Sequence, residues 1–117
     1  MAAARAATVD LLAQQPRPTA LFTGDGTMSV GALEAITAIG VAIPGDLSLI
    51  CFDDLDWMKF VHPGITAASQ PVHEMGRAAA ELILSRIKGD GAPIHRIVLP
   101  VRLTERRSVE PPAAATT

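Results

Sequence analysis

One stretch of the sequence, residues 47–71, places the strongest limits on how the chain can fold. It begins with the apolar run LSLICF, which is typical of a buried strand, and this run ends directly in Asp53 and Asp54. A loop that carries the chain's one tryptophan, Trp57, follows, and a second extended segment then leads into Gln70. In an open α/β sheet, ligands bind beyond the carboxyl ends of parallel strands. The order of strand, carboxylates, aromatic ring and amide therefore predicts one wall of a small-molecule pocket.

The residues before this stretch alternate between helical and extended patterns. An Ala-rich helix is predicted over residues 2–15, a strand over residues 19–23, and a second helix over residues 28–39. Thr27 is a suitable N-cap for the second helix, and Gly40 is a suitable left-handed residue at its end. The order helix, strand, helix, strand predicts parallel strands joined by helical crossovers.

Parallel strands place their carboxyl ends at the same edge of a sheet. We therefore expect the turn at residues 24–26, Gly-Asp-Gly, to lie near Asp53 and Asp54. The pattern predicts only two parallel strands in this part of the chain, which is few for a stable sheet. An exposed strand edge can also pair with another chain. The sequence thus has the pattern expected at the end of a longer protein.

The last third of the chain predicts one helix and one extended segment. Residues 73–88 form an amphipathic pattern, with Met75 and Ile83 expected in the core. Residues 94–104 read as an edge strand or a strand pair, since Pro100 interrupts the pattern. We expect residues 1–110 to form one domain and residues 111–117 to be a disordered, low-complexity tail.

Composition excludes several functional classes. Apolar residues make up 49% and aromatic residues 3% of the chain, so the core must be largely aliphatic. The net charge of −2 and the absence of a basic run argue against direct binding of nucleic acid. Cys51 lies in the apolar run, which is typical of a reduced core thiol. We find neither a signal peptide nor a membrane-spanning run, so we expect a cytoplasmic location without a membrane partner.

The sequence indicates neither a metal nor a cofactor. The three histidines lack the spacing of a metal site, and no base lies near Cys51 to activate it. A Mg²⁺ or phosphoacceptor site formed by Asp25, Asp53 and Asp54 is an alternative. Adjacent strand residues point to opposite faces, however, which favours structural roles for Asp53 and Asp54. We therefore predict that the chain is not an enzyme.

Five segments together resemble the C-terminal end of transcriptional regulators of the LacI/GalR family. They occur in the family's order and spacing, and they cover most of residues 17–112. The segments are RPTALFT with DGTMSVGAL at 17–33, GVAIPGDLSLICFDD at 40–54, PGITAASQP at 63–71, MGRAAAELIL at 75–84 and LPVRLTERRSV at 99–109.

The resemblance implies an α/β fold, part of the type I periplasmic-binding-protein-like fold. It would comprise mainly the C-terminal lobe, with parallel strands and flanking helices. Family members carry a helix-turn-helix and two lobes that close on a sugar or similar effector to alter operator affinity. The resemblance implies that the helix-turn-helix and most of the N-terminal lobe are absent here. The chain would then resemble half of a sensor domain. The resemblance also implies a homodimer formed partly through the helix at residues 28–39, and DNA contact only through the absent helix-turn-helix.

The resemblance also nominates effector-binding residues. The family's Asn-Asp pair matches Asp25 and Gly26, so the ligand carboxylate is missing or displaced by one position. Asp25 either binds the effector or caps the following helix. Gln70 matches a cleft-lining position, or is a solvated loop amide. Trp57 either stacks on a sugar ring, covers the core, or contacts another subunit.

Two other identities remain open from the sequence. A periplasmic-type sugar-binding protein shares the fold, although the closing LTERRS segment is more typical of a regulator. A non-functional, truncated remnant of a regulator is the other alternative.

Overall fold

The chain folds as alternating helices and strands around a four-stranded sheet. The computed structural model describes residues 1–89, 91 and 93–112. Its elements are α1 (Ala2–Leu12), β1 (Ala20–Thr23), α2 (Gly26–Ile39), β2 (Ser48–Phe52), a 3₁₀ turn (Asp56–Lys59), β3 (Thr66–Ser69), α3 (Val72–Ile87) and β4 (Arg102–Thr104). The strands lie in the order β1-β2-β3-β4, and both the β1–β2 and β2–β3 pairs are parallel. The predicted α/β class with parallel strands is confirmed.

The described residues divide into two compact units. The first contains Met1–Ser69 and the returning segment from Leu103, and the second contains Gln70–Arg102. Residues 90 and 92, and residues 113–117 of the predicted tail, lie outside the described residues.

The core of the first unit is built on β2, the middle of the three parallel strands. Leu49 and Cys51 are fully buried, as are Ile65 and Ala67 in and beside β3. A strand with neighbours on both sides and covered faces needs a nearly continuous apolar sequence. The run LSLICF meets this requirement, and Cys51 is the buried thiol that the sequence predicts.

Helix α2 begins two residues earlier than predicted, at Gly26 and not at residue 28. Asp25, and not Thr27, is its N-cap, because the Asp25 side chain accepts a hydrogen bond from the Met28 backbone N–H at 2.7 Å. Gly40 ends the helix with φ at 80°, as expected for a left-handed C-terminal residue. Met28, which an apolar pattern would place in the core, is 48% exposed.

The segment after β4 returns to the sheet and is tied to β2 and β3. Ser108 is fully buried, and its hydroxyl donates to the Leu49 carbonyl at 2.5 Å and accepts from the Thr66 N–H at 2.8 Å. The Leu49 N–H in turn donates to the Ser108 carbonyl at 2.8 Å. The charged segment at residues 105–108 is therefore bound to the core of the first unit.

The second unit corrects two predictions. Helix α3 contains no buried residue, and Met75 and Ile83, predicted as core, are 43% and 58% exposed. An amphipathic pattern indicates a face that packs when a partner surface is available, and the described residues do not bury this face. Regular strand geometry begins only at Arg102, not at residue 94. Pro100 is consistent with that late start, since its nitrogen cannot donate to a neighbouring strand.

Candidate functional site

Two turns lie at the carboxyl-terminal edge of the sheet in the first unit, because the strands that precede them are paired in register. Thr23 at the end of β1 lies opposite Cys51 near the end of β2. The turns that follow these strands, at residues 24–26 and 53–55, therefore leave the sheet at the same edge. This is the edge at which open α/β sheets bind ligands.

Asp25 is held in this edge by its capping role. Its Oδ1 accepts from the Met28 N–H, and its carbonyl accepts from the Ser29 N–H and hydroxyl at 3.0 and 2.8 Å. The Ser29 hydroxyl also lies 2.7 Å from the Thr23 hydroxyl, which ties the cap to the end of β1. A carboxylate offers about four acceptor positions, so capping uses only part of what Asp25 can accept.

Gly26 is the first residue of α2 and contributes no side chain to the edge. A Cβ atom built on it would lie 2.5 Å from Leu55 Cδ1. Leu55 from the turn after β2 therefore fills the space that a side chain at position 26 would need. Any carboxylate introduced at this position must first displace the end of Leu55.

Asp53 is a feature of the edge that the sequence pattern does not reveal. It is the one non-glycine residue among those described with a positive φ, at 69°. Its N–H donates to the Ala68 carbonyl at 2.9 Å, so the turn starts directly from the β2–β3 pairing. Left-handed geometry at a non-glycine residue costs about 1–2 kcal/mol, and it is found preferentially at functional sites. An Asp directly after a buried strand is the available sequence signal, because Asp and Asn tolerate this geometry best.

Asp54, next to Asp53, has a structural role. Its two carboxylate oxygens accept from Nη1 and Nη2 of Arg106 at 2.8 and 2.9 Å. The Arg106 hydrogen bonds lower the pKa of the Asp54 carboxyl, against the opposing effect of its burial. The sequence favours a structural role for this residue, and the structure shows that the partner is a distant arginine side chain.

Trp57 lies in the 3₁₀ turn and packs, partly buried, against the core of the first unit. It lines an open groove of about 570 Å³ along one flank of α2. The α2 residues in this groove are Val30, Leu33, Glu34, Thr37 and Ala38. Neither Asp25 nor Gly26 lines it, so the ring and the capped turn belong to different surface features of the first unit.

Gln70 is the first residue of the second unit. Its carbonyl accepts from the Val72 N–H at 2.9 Å, at the start of α3. Within its unit, Gln70 lines an open groove of about 610 Å³ with the apolar face of α3 and residues 95–101. This groove combines the amide with a mainly aliphatic surface.

The described residues lack two kinds of feature. Residues 1–89, 91 and 93–112 contain no group of three or more His, Cys, Asp or Glu side chains that could hold a metal ion. Over the same residues, no helix has the length and apolar character needed to cross a membrane.

Comparisons with known proteins agree on one family. A family model described as a periplasmic binding protein-like domain matches residues 1–109. The chain is 42% identical over 94 residues to a "Probable opine utilization operon repressor" of Rhizobium rhizogenes, which is 80% of this chain and 48% of that protein. It resembles a LacI family transcriptional regulator from Enterococcus faecium with bound ribose, at a TM-score of 0.80 and 30% identity, covering 92% of this chain and 40% of that one.

A third similar protein is the transcriptional regulator CelR in complex with cellobiose. The TM-score is 0.82 and the identity 32%, over 91% of this chain and 32% of that one. The chain therefore spans less than half the length of each of these three proteins.

These matches define the class of protein: the chain belongs to the periplasmic binding protein-like domain family. Its relatives within that family are LacI/GalR-type regulators, and its residues correspond to part of their effector-binding domain. The predicted resemblance is thereby confirmed. These relatives are described as repressors and transcriptional regulators, which is the class of protein that the sequence predicts.

Proposed function

We propose that the chain is the effector-sensing part of a LacI/GalR-type transcriptional regulator that binds a sugar or similar small molecule and thereby controls operator affinity. Residues 1–110 form the C-terminal portion of the sensor domain in this proposal. The observation that carries it is the pair of carboxylates, Asp25 and Asp53, that follow two strands in register at the ligand-binding edge of a parallel sheet.

The chemistry of this edge suits a polyhydroxylated ligand. Ionised carboxylates accept hydrogen bonds from several hydroxyl groups at once. The main chain of Asp25 is fixed by the helix cap, and that of Asp53 by its bond to Ala68. Fixed main-chain positions reduce the ordering cost of binding. Two similar proteins of known structure are described with ribose and with cellobiose, which supports a sugar-like effector.

The other predicted effector residues have distinct roles in the proposal. Gly26 offers only main-chain groups to the effector, because Leu55 occupies the space that a side chain at this position would need. Gln70 offers a side-chain amide, which can both donate and accept hydrogen bonds with a sugar-like ligand. Trp57 supplies an aromatic face on the first unit, either for the effector or for a second copy of the chain.

The regulator acts as a homodimer in this proposal, partly through α2. It contacts DNA through a helix-turn-helix that is outside these 117 residues, and it works in the cytoplasm. Effector binding shifts the population between two states of the sensor, so no covalent step is required. The regulatory names of the relatives favour this function over that of a periplasmic-type transport protein.

Calorimetric titration of the 117-residue chain with ribose and with cellobiose tests the proposal. We expect saturable binding of at least one sugar. Asp53→Asn should weaken it by about tenfold, because a charged hydrogen-bond acceptor is lost. Asp25→Asn keeps an oxygen for the helix cap, so its effect on binding should exceed its effect on stability.

Asp10→Asn is the matched control, since Asp10 is an exposed residue of α1 and the substitution removes the same charge. It should leave the affinity unchanged. Absence of saturable binding to either sugar would contradict a ribose- or cellobiose-type effector for this chain and favour the remnant. Equal weakening by Asp10→Asn would mean that net charge, and not the edge carboxylates, governs binding.

A further inference from the structure

We infer that Arg106 is a positioning residue for the effector site, because it holds the turn that presents Asp53. The inference rests on the proposed function for the role of Asp53 as an effector contact. The geometric part of it, the control of the Asp53 main chain by Arg106, is independent of any ligand.

The segment that carries Arg106 is firmly anchored. Beyond the bonds of buried Ser108, the Ser48 hydroxyl donates to the Glu110 carbonyl at 2.9 Å and lies 3.1 Å from the Glu110 N–H. The Arg107 N–H donates to the Gly64 carbonyl at 3.0 Å. These bonds join parts of the chain more than 40 residues apart, so the segment has a fixed position on β2 and β3.

Arg106 connects this segment to the turn after β2. Its N–H donates to the Thr66 hydroxyl at 3.0 Å, and Nη1 donates to the Ile65 carbonyl at 2.7 Å, so the start of β3 locates its backbone and side chain. The guanidinium group then binds both oxygens of Asp54. A planar, two-point contact of this kind fixes orientation as well as distance.

The clamp on Asp54 fixes the residue before it. On one side of Asp53, its own N–H is bound to Ala68. On the other side, the neighbouring side chain is bound to Arg106, and both Asp54 and Arg106 are largely buried, at 19% and 18% exposure. The chain must turn between these two fixed points, and Asp53 makes this turn with φ at 69°. Left-handed geometry persists where the surroundings enforce it, and the contact of Arg106 with Asp54 is one such constraint.

Arg106→Gln tests this inference in the full 117-residue chain. The substitution keeps part of the side-chain length but removes the charge and the two-point contact. The readout is the one-bond Cα–Hα coupling of Asp53 by NMR, which distinguishes positive from negative φ. We expect Asp53 to lose its positive-φ coupling in Arg106→Gln and sugar affinity to fall by about tenfold.

Arg5→Gln is the matched control. Arg5 forms an ion pair with Glu34 at 3.4 Å between side chains that are about half exposed, so the same chemical change is made away from the turn. It should leave both the Asp53 coupling and the affinity unchanged. Asp54→Asn, which is nearly isosteric, provides a second test if Arg106→Gln does not fold, and the same loss of the coupling is expected.

The possible results separate this inference from the proposed function. An unchanged positive-φ coupling at Asp53 in a folded Arg106→Gln or Asp54→Asn chain would overturn the inference, whatever the binding data show. Loss of the coupling in a chain that binds neither sugar would support the geometric part and overturn the sugar-binding proposal. Loss of the coupling with undiminished affinity would show that Asp53 is positioned by Arg106 but does not contact the effector, which would overturn the positioning role for the site.

Discussion

At the scale of single residues, the contact with Arg106 changes the pKa of the Asp54 carboxyl. Arg106 lowers the pKa of the Asp54 carboxyl below its ordinary value of 3.8, so the unfolded chain binds this proton more readily than the folded chain. The stabilisation is therefore fully present at pH values above 3.8 and is lost as the pH falls through the folded-state pKa. We expect Asp54→Asn to lower the free energy of unfolding by about 2 kcal/mol at neutral pH. Denaturant titrations from neutral to acidic pH should show this difference shrinking as the pH falls.

Asp56, an almost fully exposed carboxylate, provides the control for that measurement. Asp56 pairs with Lys59 at 2.7 Å, but its side chain is 91% exposed. Pairs of exposed side chains contribute little because water and salt screen them. Asp56→Asn should therefore leave the unfolding free energy unchanged within error at every pH. A constant difference between wild type and Asp54→Asn over the whole pH range would contradict the assignment of the pH dependence to this contact.

At the scale of elements, α1 and α2 pack closely against each other at Gly31. A Cβ atom on Gly31 would lie 2.5 Å from the Met1 carbonyl oxygen and 3.1 Å from the Ala4 Cβ. Gly to Ala within a helix ordinarily stabilises by about 0.5–1 kcal/mol. Here the added methyl group must push the two helices apart, so we expect Gly31→Ala to destabilise the chain by about 1–3 kcal/mol. Thermal or denaturant unfolding measures the change.

Gly76 offers the matched substitution for this prediction. It lies within α3, and apart from its chain neighbours and the local helix backbone no atom of the described residues lies within 4 Å of a Cβ atom built on it. Gly76→Ala should therefore show the ordinary helical gain, with increased helicity by circular dichroism. If Gly31→Ala also stabilised the chain, α1 would not be packed against α2 as the structure shows.

Local patterns predict elements well but not the contacts that join distant parts of the chain. The run LSLICF, the alternation of helix and strand, and Gly40 define the sheet and α2 because each depends on neighbours in sequence. The bonds of Arg106 and Ser108 join residues separated by 40 to 59 positions, and no periodicity records them. The same limit applies to the candidate site. Asp25 and Gln70 are identified through resemblance, whereas the left-handed geometry of Asp53 depends on contacts that only the folded chain contains.

At the scale of the whole molecule, Trp57 can distinguish binding from self-association. It is the chain's one tryptophan, so its fluorescence reports on a single place. If Trp57 contacts the effector, a sugar should change its emission at constant protein concentration. If the groove between Trp57 and α2 accepts a second copy, the emission should shift to shorter wavelength as protein concentration rises without sugar. Emission that is constant in both titrations would contradict both roles.

The helices of the two units differ in how many of their residues are buried, so we expect them to differ in local stability. Helix α2 has five buried residues, whereas α3 has none. Short helices without packing are marginal in water, so the amides of α3 should open far more often than those of α2. Hydrogen exchange measured by mass spectrometry at low protein concentration should show rapid exchange over Val72–Ile87 and slow exchange over Gly26–Ile39 in the same sample.

The dependence of this hydrogen exchange on protein concentration tests whether the exposed surface of α3 takes part in self-association. Helix α3 exposes large apolar side chains, including Ile83 and Ile87 at 58% and 75% exposure. If another copy of the chain covered them, the backbone amides of α3 would exchange more slowly. Protection of α3 that rises with concentration, while α2 stays constant, would mean that self-association uses the second unit and not α2. Protection equal to that of α2 at the lowest concentration would contradict the low stability expected for α3. If the homodimer forms through α2, we expect the amides of α3 to exchange fast at all protein concentrations.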